Sequence, residues 1–324
     1  MNSLNDLIAR YFSWCNRIEY PEEPRRLYDA SRYFLESGGK KIRPILCLLG
    51  NDLFGEMSYD SFHAGYAIDL FHNSSLVHDD IIDHAPLRRG RPAIHIKYSL
   101  PTAILTGDIF IAYAFAHLNN VREQYRHQIH TQFSRVIIEV CEGQQMDFDL
   151  ERRELQHVSY QEYLKMITLK TAALMGASIR IGAVIGGADS QEQAYLYEFG
   201  KNLGIAFQIY DDYLDAFGEP SETGKQPGGD ILENKKTALL IKTWEAGSTS
   251  QKKALKNAMS KNGFEKVSAV LELYRNTKVD IWATDKTSEY TQKAFYCLDM
   301  ITGVTAERKA GLIELTNQLL GRRC

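Results

Sequence analysis

The chain has 324 residues, 44% of them hydrophobic, and a net charge of −3 from 38 Lys and Arg against 41 Asp and Glu. That apolar content supports a buried core and excludes a largely disordered chain, while the near balance of charge removes any global attraction for nucleic acid. The five scattered cysteines, Cys15, Cys47, Cys141, Cys297 and Cys324, form no CxxC or Cys/His spacing and read as reduced thiols of a cytoplasmic protein.

The N-terminal stretch MNSLNDLIARYFSW lacks the basic head and unbroken apolar run of a secretory signal. A first helix is expected over Leu27 to Glu36, stopped by Ser37-Gly38-Gly39, and a second from near Pro44 to Gly55. A long helix follows from about Ser61, read as its N-cap, to about Asp83, with Ala64, Ala67, Ile68, Phe71 and Ser75 at helical spacing. Pro86 to Pro92 (PLRRGRP) reads as a basic loop, and helices are expected near 101–118, 128–148, 160–187 and 190–216. The run AALMGASIRIGAVIGGA (172–188) is rich in Gly and Ala and broken by Arg180, which suits close helix packing, so no transmembrane segment is expected. The Gly/Pro-rich loop GEPSETGKQPGGD then leads into a motif-poor helical segment from 235 to 324. Alternating β-branched runs are nearly absent, so the fold class is all-α, one large helical domain spanning 1–324.

Two segments echo each other. Residues 61–92 and 190–236 are each a long helix ending in DDxxD and leading into a loop with basic residues. In Asp79/Asp80/Asp83 and Asp211/Asp212/Asp215 the first and last carboxylates are four residues apart and project from one helix face. Both clusters lie at the C-terminal end of a helix, where the macrodipole makes each carboxylate unfavourable by about 0.3–1 kcal/mol. Such an arrangement, made twice, calls for cations. Magnesium prefers hard oxygens and is held by one or two carboxylates together with phosphate groups, whereas the sequence carries no HExxH, Cys/His set or EF-hand loop. Lys40, Arg43, Arg88, Arg89, Lys170, Lys225 and Lys235 sit beside helix ends or glycine turns. Each alone reads as a solvated charge; combined with the aspartates they can surround a polyanion. His72 lies seven residues before Asp79 on nearly the same face and joins them, whereas His78 reads as packed or exposed rather than functional.

With these residues in place the sequence resembles the trans-isoprenyl diphosphate synthases, the polyprenyl synthetase family. The resemblance rests on GGKKIRP (38–44), HNSSLVHDDIID (72–83), PLRRGRP (86–92), LTGDIF (105–110), GQQMD (143–147), LKT (169–171), FQIYDDYLD (207–215) and GGDILENKKT (228–237). It implies a helical bundle around a central cavity, a homodimer, and an enzyme that condenses isopentenyl diphosphate with dimethylallyl, geranyl or farnesyl diphosphate. It further implies that Asp79, Asp83 and Asp211 bind magnesium, about three ions per site, with Asp80, Asp212 and Asp215 supporting. Arg88, Lys170, Lys225 and Lys235 would contact the allylic diphosphate, and Lys40, Arg43, His72 and Arg89 the isopentenyl diphosphate. Thr171 and Gln208 would turn negative dipoles on the allylic cation, and Gln144 and Asp147 would support. The family places a chain-length floor four, five and eight residues before the first aspartate, here Ser75, Ser74 and Phe71. The two serines point to geranylgeranyl diphosphate or longer, with farnesyl diphosphate synthesis as the alternative.

Two features depart from the family: the QPGG run before Asp230 is one residue longer, and Asn234 replaces a frequent glycine before Lys235. A class I terpene cyclase would lack the second DDxxD and GGKKIRP. Rivals of other classes are an HD-type phosphohydrolase built on His72, His78 and Asp79, and a non-catalytic subunit of a heteromeric synthase, in which the aspartate clusters should be eroded.

Overall fold

The computed structural model describes residues 3–219 and 227–321. Its chain runs α1 (Leu4–Cys15), α2 (Arg25–Leu35), α3 (Ile42–Phe54), α4 (Tyr59–Ile82), β1 (Leu87–Arg88), β2 (Arg91–Pro92), α5 (Ile94–Lys97), α6 (Leu100–Leu118) and α7 (Glu123–Arg152). Then come α8 (Tyr160–Ile167), a π-helical turn (Thr168–Ala172), α9 (Ala173–Gly186), α10 (Ser190–Phe217), α11 (Gly229–Leu232), α12 (Ala238–Ala246), α13 (Thr249–Met259), α14 (Gly263–Asn276), α15 (Val279–Asp299) and α16 (Ala306–Leu320). The all-α expectation holds: the two-residue strands are the sole sheet among the described residues.

Local chemistry sets the boundaries. Helix α1, which the sequence reading passed over, begins with a capping box in which Ser3 Oγ accepts from the Asp6 amide (3.1 Å) and Asp6 Oδ2 from the Ser3 amide (3.3 Å). Ser159 and Glu162 do the same for α8. The N-cap of α4 is Ser58, not Ser61, whose hydroxyl instead turns back to the Ser58 carbonyl at 2.7 Å. The basic loop 86–92 is in fact a hairpin, because Arg89 (φ 53°) and Gly90 (φ 73°) are both left-handed and supply the twist that a two-residue turn needs.

Contacts divide the described chain into two compact units. The first takes residues up to 135, 177–194 and 304–311; the second takes 136–176, 195–303 and those from 312 on. In the first, Leu7, Phe34, Leu46, Leu48, Ile68 and Phe110 are fully or nearly fully buried. A Cβ on Gly182 would lie 1.8 Å from the Cys47 carbonyl oxygen, so α3 and α9 touch backbone to backbone, and this is what the Gly/Ala-rich run is for. In the second unit, Ile167, Ile205, Ile209, Leu239, Leu240, Val270 and Tyr274 belong to one apolar cluster.

Two helical stretches, Leu100–Leu118 and Tyr160–Gly186, are long and apolar enough to cross a membrane. In the second, 78% of the most apolar window is buried, which makes it a core element; in α6 only 33% is, and Leu100, Ile104 and Leu105 stand exposed.

Candidate active site

In the first unit, α4 carries Asp79, Asp80 and Asp83 in its last turn and at its C-cap. Asp80 is 1% exposed; the hairpin brings Arg88 to it, with Nε at 2.8 Å and Nη2 at 2.5 Å from Oδ1. Its other oxygen, Oδ2, is buried with no hydrogen-bond partner among the described residues. Burial raises the Asp80 carboxyl above its ordinary range despite Arg88. Asp79 is half-buried and Asp83 exposed, so the cluster offers carboxylate oxygens outward from one anchored member.

Around it the predicted basic residues group. The Arg89 guanidinium donates to the Gly38 carbonyl and, at 3.1 Å, to Ser37 Oγ, tying the hairpin to the GGKK turn. Arg43 Nη1 donates to His72 Nε2 at 3.0 Å, and burial holds the Arg43 guanidinium down to about 10. His72 is lowered well below the ordinary histidine value by burial and by Arg43, Arg89, Lys41 and Arg88, so its ring is neutral with its proton on Nδ1. Of the two lysines in GGKK, Lys41 turns inward to a buried pair with Asp69 (2.7 Å) and Lys40 is exposed, a choice the sequence leaves open. His78 is partly exposed, its Nε2 3.3 Å from the Ile104 carbonyl and 3.7 Å from Asp108 Oδ1.

In the second unit the other cluster ends α10. Asp211 is exposed, whereas Asp212 is buried and accepts from Tyr163 Oη (2.7 Å), the Ala238 amide (2.9 Å) and Gln208 Nε2 (3.2 Å). Burial, then Asp230, pushes its carboxyl up to about 7. Asp215 Oδ2 accepts from the Asp230 amide at 2.9 Å, so Asp215 holds the start of α11. Asp230 itself is pushed up to about 6 by burial and then by Asp215, against the pull of Lys235. Asp230 is the site residue that sequence reasoning missed, although GGD after a glycine-rich loop marks it.

Thr171 Oγ1 donates to Gln208 Oε1 at 3.2 Å, joining Thr171, Gln208, Asp212 and Tyr163 in one chain of hydrogen bonds. Thr171 lies in the π-helical turn, a feature common at functional sites. Lys170 Nζ meets Asp147 Oδ2 at 2.5 Å, which gives Asp147 its supporting place. A Cβ on Gly143 would lie 2.2 Å from the Lys170 amide nitrogen, so the glycine of GQQMD lets α7 reach this turn. Lys235 Nζ lies 3.0 Å from Glu233 Oε2 and 3.5 Å from Asp230 Oδ1. Lys225 lies outside the described residues.

Among the described residues no three His, Cys, Asp or Glu side chains enclose a metal on their own. This counts against the HD-type reading, in which His72, His78 and an aspartate must converge; here His72 is taken up by Arg43 and His78 by α6.

A helical fold with two carboxylate clusters, each among cations of its own unit, defines a synthase of isoprenoid diphosphates. The chain belongs to the polyprenyl synthetase family, whose model matches residues 24–277, and it is a prenyltransferase. Geranylgeranyl diphosphate synthase of Sulfolobus acidocaldarius is 38% identical over 93% of this chain and 90% of its own. A crystal structure of a geranylgeranyl pyrophosphate synthase superimposes with TM-score 0.92 at 38% identity, covering 100% of both chains. A geranylgeranyl pyrophosphate synthase from Corynebacterium glutamicum, solved with isoprenyl diphosphate and magnesium, superimposes with TM-score 0.83 at 26% identity, covering 99% and 98%.

Proposed function

We propose that this chain is a magnesium-dependent trans-prenyltransferase that adds isopentenyl diphosphate to dimethylallyl, geranyl or farnesyl diphosphate and releases geranylgeranyl diphosphate as its main product. The observation that carries this reading is the pair of intact aspartate clusters, each with a buried, hydrogen-bonded aspartate and exposed or half-buried neighbours that offer oxygen. The residues fit magnesium: the donors are hard carboxylate oxygens, and the buried Asp80 Oδ2 has no partner among the described residues. Asp79, Asp83 and Asp211 would hold the magnesium, about three ions by family resemblance, and its positive charge would offset the negative charge of the departing pyrophosphate and so favour ionisation of the allylic C–O bond.

The chain's own groups do the rest. Asp79, Asp83 and Asp211 present ligand oxygens, while Arg88, Tyr163 and the Ala238 amide hold Asp80 and Asp212, and Asp215 holds Asp230. Arg88, Lys170, Lys225 and Lys235 bind the allylic diphosphate; Lys40, Arg43, His72 through its Nδ1–H, and Arg89 bind that of isopentenyl diphosphate. Thr171 and Gln208 set oxygen dipoles toward the positive charge that develops as the allylic C–O bond breaks. The double bond of isopentenyl diphosphate attacks that carbon, and the proton lost leaves with pyrophosphate.

Product length rests on Ser74, which is buried, Ser75, and Phe71, whose ring meets Phe133 edge-on at 5.9 Å. The family match spans both units, which supports 1–324 acting as one domain. A second copy covers the exposed Leu100, Ile104 and Leu105 of α6, giving a homodimer, and the free thiols Cys15, Cys47, Cys141 and Cys297 suit the cytoplasm. Incubation with labelled isopentenyl diphosphate, each primer and magnesium, followed by sizing of the products, tests the reading. Asp79→Ala should abolish turnover in a folded protein; substantial residual activity would overturn the metal assignment.

A further inference from the structure

The departure of Asn234 from glycine has a structural counterpart in α14. Asn234 is left-handed, with φ 62°, a conformation that glycine adopts freely and other residues adopt reluctantly, asparagine least so. Its Oδ1 accepts from Lys266 Nζ at 2.8 Å, and the same ammonium lies 3.4 Å from the Leu232 carbonyl, at the C-terminal end of α11. Lys266 is only 4% exposed, a rare place for a lysine with no carboxylate bonded to it among the described residues. The next residue of α14 grips the other end of α11: a Cβ on Gly228 would lie 2.5 Å from Val267 Cγ1. On the opposite side, Asp215 accepts from the Asp230 amide at 2.9 Å, and its carbonyl accepts from the Gly228 amide at 2.6 Å. Residues 228–234 are therefore clamped between α10 and α14. Lys235 leaves this clamp directly, its own amide donating to the Asp230 carbonyl at 3.0 Å.

We propose that Lys266 is a positioning residue for the allylic diphosphate site: by holding Asn234 left-handed it fixes the direction in which Lys235 leaves the turn, doing with a side chain what glycine does with its backbone. The inference rests on the reading that Lys235 binds that diphosphate. Burial and the neighbouring Lys236 lower the Lys266 ammonium, yet the two oxygens it meets among the described residues are neutral, so what it gives Asn234 and Leu232 is directional hydrogen bonding.

The test is steady-state kinetics on Lys266→Met, a change of similar length that removes a buried charge. The KM for the allylic diphosphate should rise about tenfold, the scale of one charge-assisted hydrogen bond, with the KM for isopentenyl diphosphate unmoved. Adding Asn234→Gly to Lys266→Met should return the allylic KM to near the wild-type value, a rescue that loss of packing would not show. An unchanged allylic KM in Lys266→Met, or a defect that Asn234→Gly leaves in place, overturns the proposal. If Lys266→Met does not fold, Asn234→Ala carries the test with the same expected rise. Lys235→Ala separates the two claims: if it leaves the allylic KM unchanged, the reading of Lys235 fails; if it raises the KM while Lys266→Met does not, the positioning role fails.

Discussion

Truncating Phe71 to alanine probes both the packing of the first unit and the proposed role of this ring in product length. Phe71 is 3% exposed and meets Phe133 at 5.9 Å and 78°, and Phe133 in turn meets Phe115 at 5.4 Å and 79°. Loss of a buried phenylalanine costs about 3–5 kcal/mol, of which about 0.5–1.5 kcal/mol belongs to the edge-on aromatic contact. Phe71 stands eight residues before Asp79, about 12 Å down the helix at 1.5 Å per residue, so the space opens below the carboxylates, in line with Ser75 one turn above. Denaturant unfolding should show the stability loss, and product sizing with labelled isopentenyl diphosphate should show a main product longer than that of the wild type. A loss below about 1 kcal/mol would refute the packing account. A folded variant with wild-type products would refute Phe71 as the floor.

Ser74→Phe should act in the opposite sense, shortening the main product while overpacking a buried position by about 1–3 kcal/mol; unchanged products in the same assay would remove Ser74 from the floor. Lys41→Met leaves the buried Asp69 without its ammonium, with only the Tyr11 hydroxyl at 3.5 Å beside it among the described residues, and should lower stability by about 3–5 kcal/mol, with much of it recovered in Lys41→Met/Asp69→Leu; equal urea midpoints for the single variant and wild type would contradict this. His63 and His117 meet at 3.1 Å through their Nδ1 atoms, and burial followed by His63 lowers His117 to about 4. A folded value below the unfolded one means that this stability is complete above about pH 6.5 and declines as pH falls toward about 4, by up to about 3 kcal/mol. Urea midpoints of His117→Phe should therefore depend less steeply on pH over that window than those of wild type, and parallel profiles would exclude the pair as the cause.

Much of the site was legible because its chemistry is local. The i, i+4 carboxylates, the glycine stops and the flanking cations each follow from residues a few positions apart, and so does the helical character of every long segment. The misreadings have physical causes. The segment 86–92 looked like a loop because the period of two has no room to show in strands of two residues, yet Arg89 and Gly90 at positive φ make it a hairpin. Helix α1 went unread because its capping box stands at the very start of the chain. Asp230 was overlooked because a single aspartate after glycines has no periodicity; its importance comes from Asp215 and Lys235, which reach it only in the folded chain.

By itself the sequence determined the all-helical class, the two aspartate clusters and the basic residues that accompany them, since helix period, dipole and charge act over a few residues. Only tertiary structure decided which member of each cluster is buried and anchored: Asp80 by Arg88, and Asp212 by Tyr163 and the Ala238 amide. It also decided that Lys41 turns inward while Lys40 stays out, and that Lys266, 32 residues after Asn234, completes the turn before Lys235. These choices depend on desolvation and on hydrogen bonds between distant segments, neither of which exists until the helices pack.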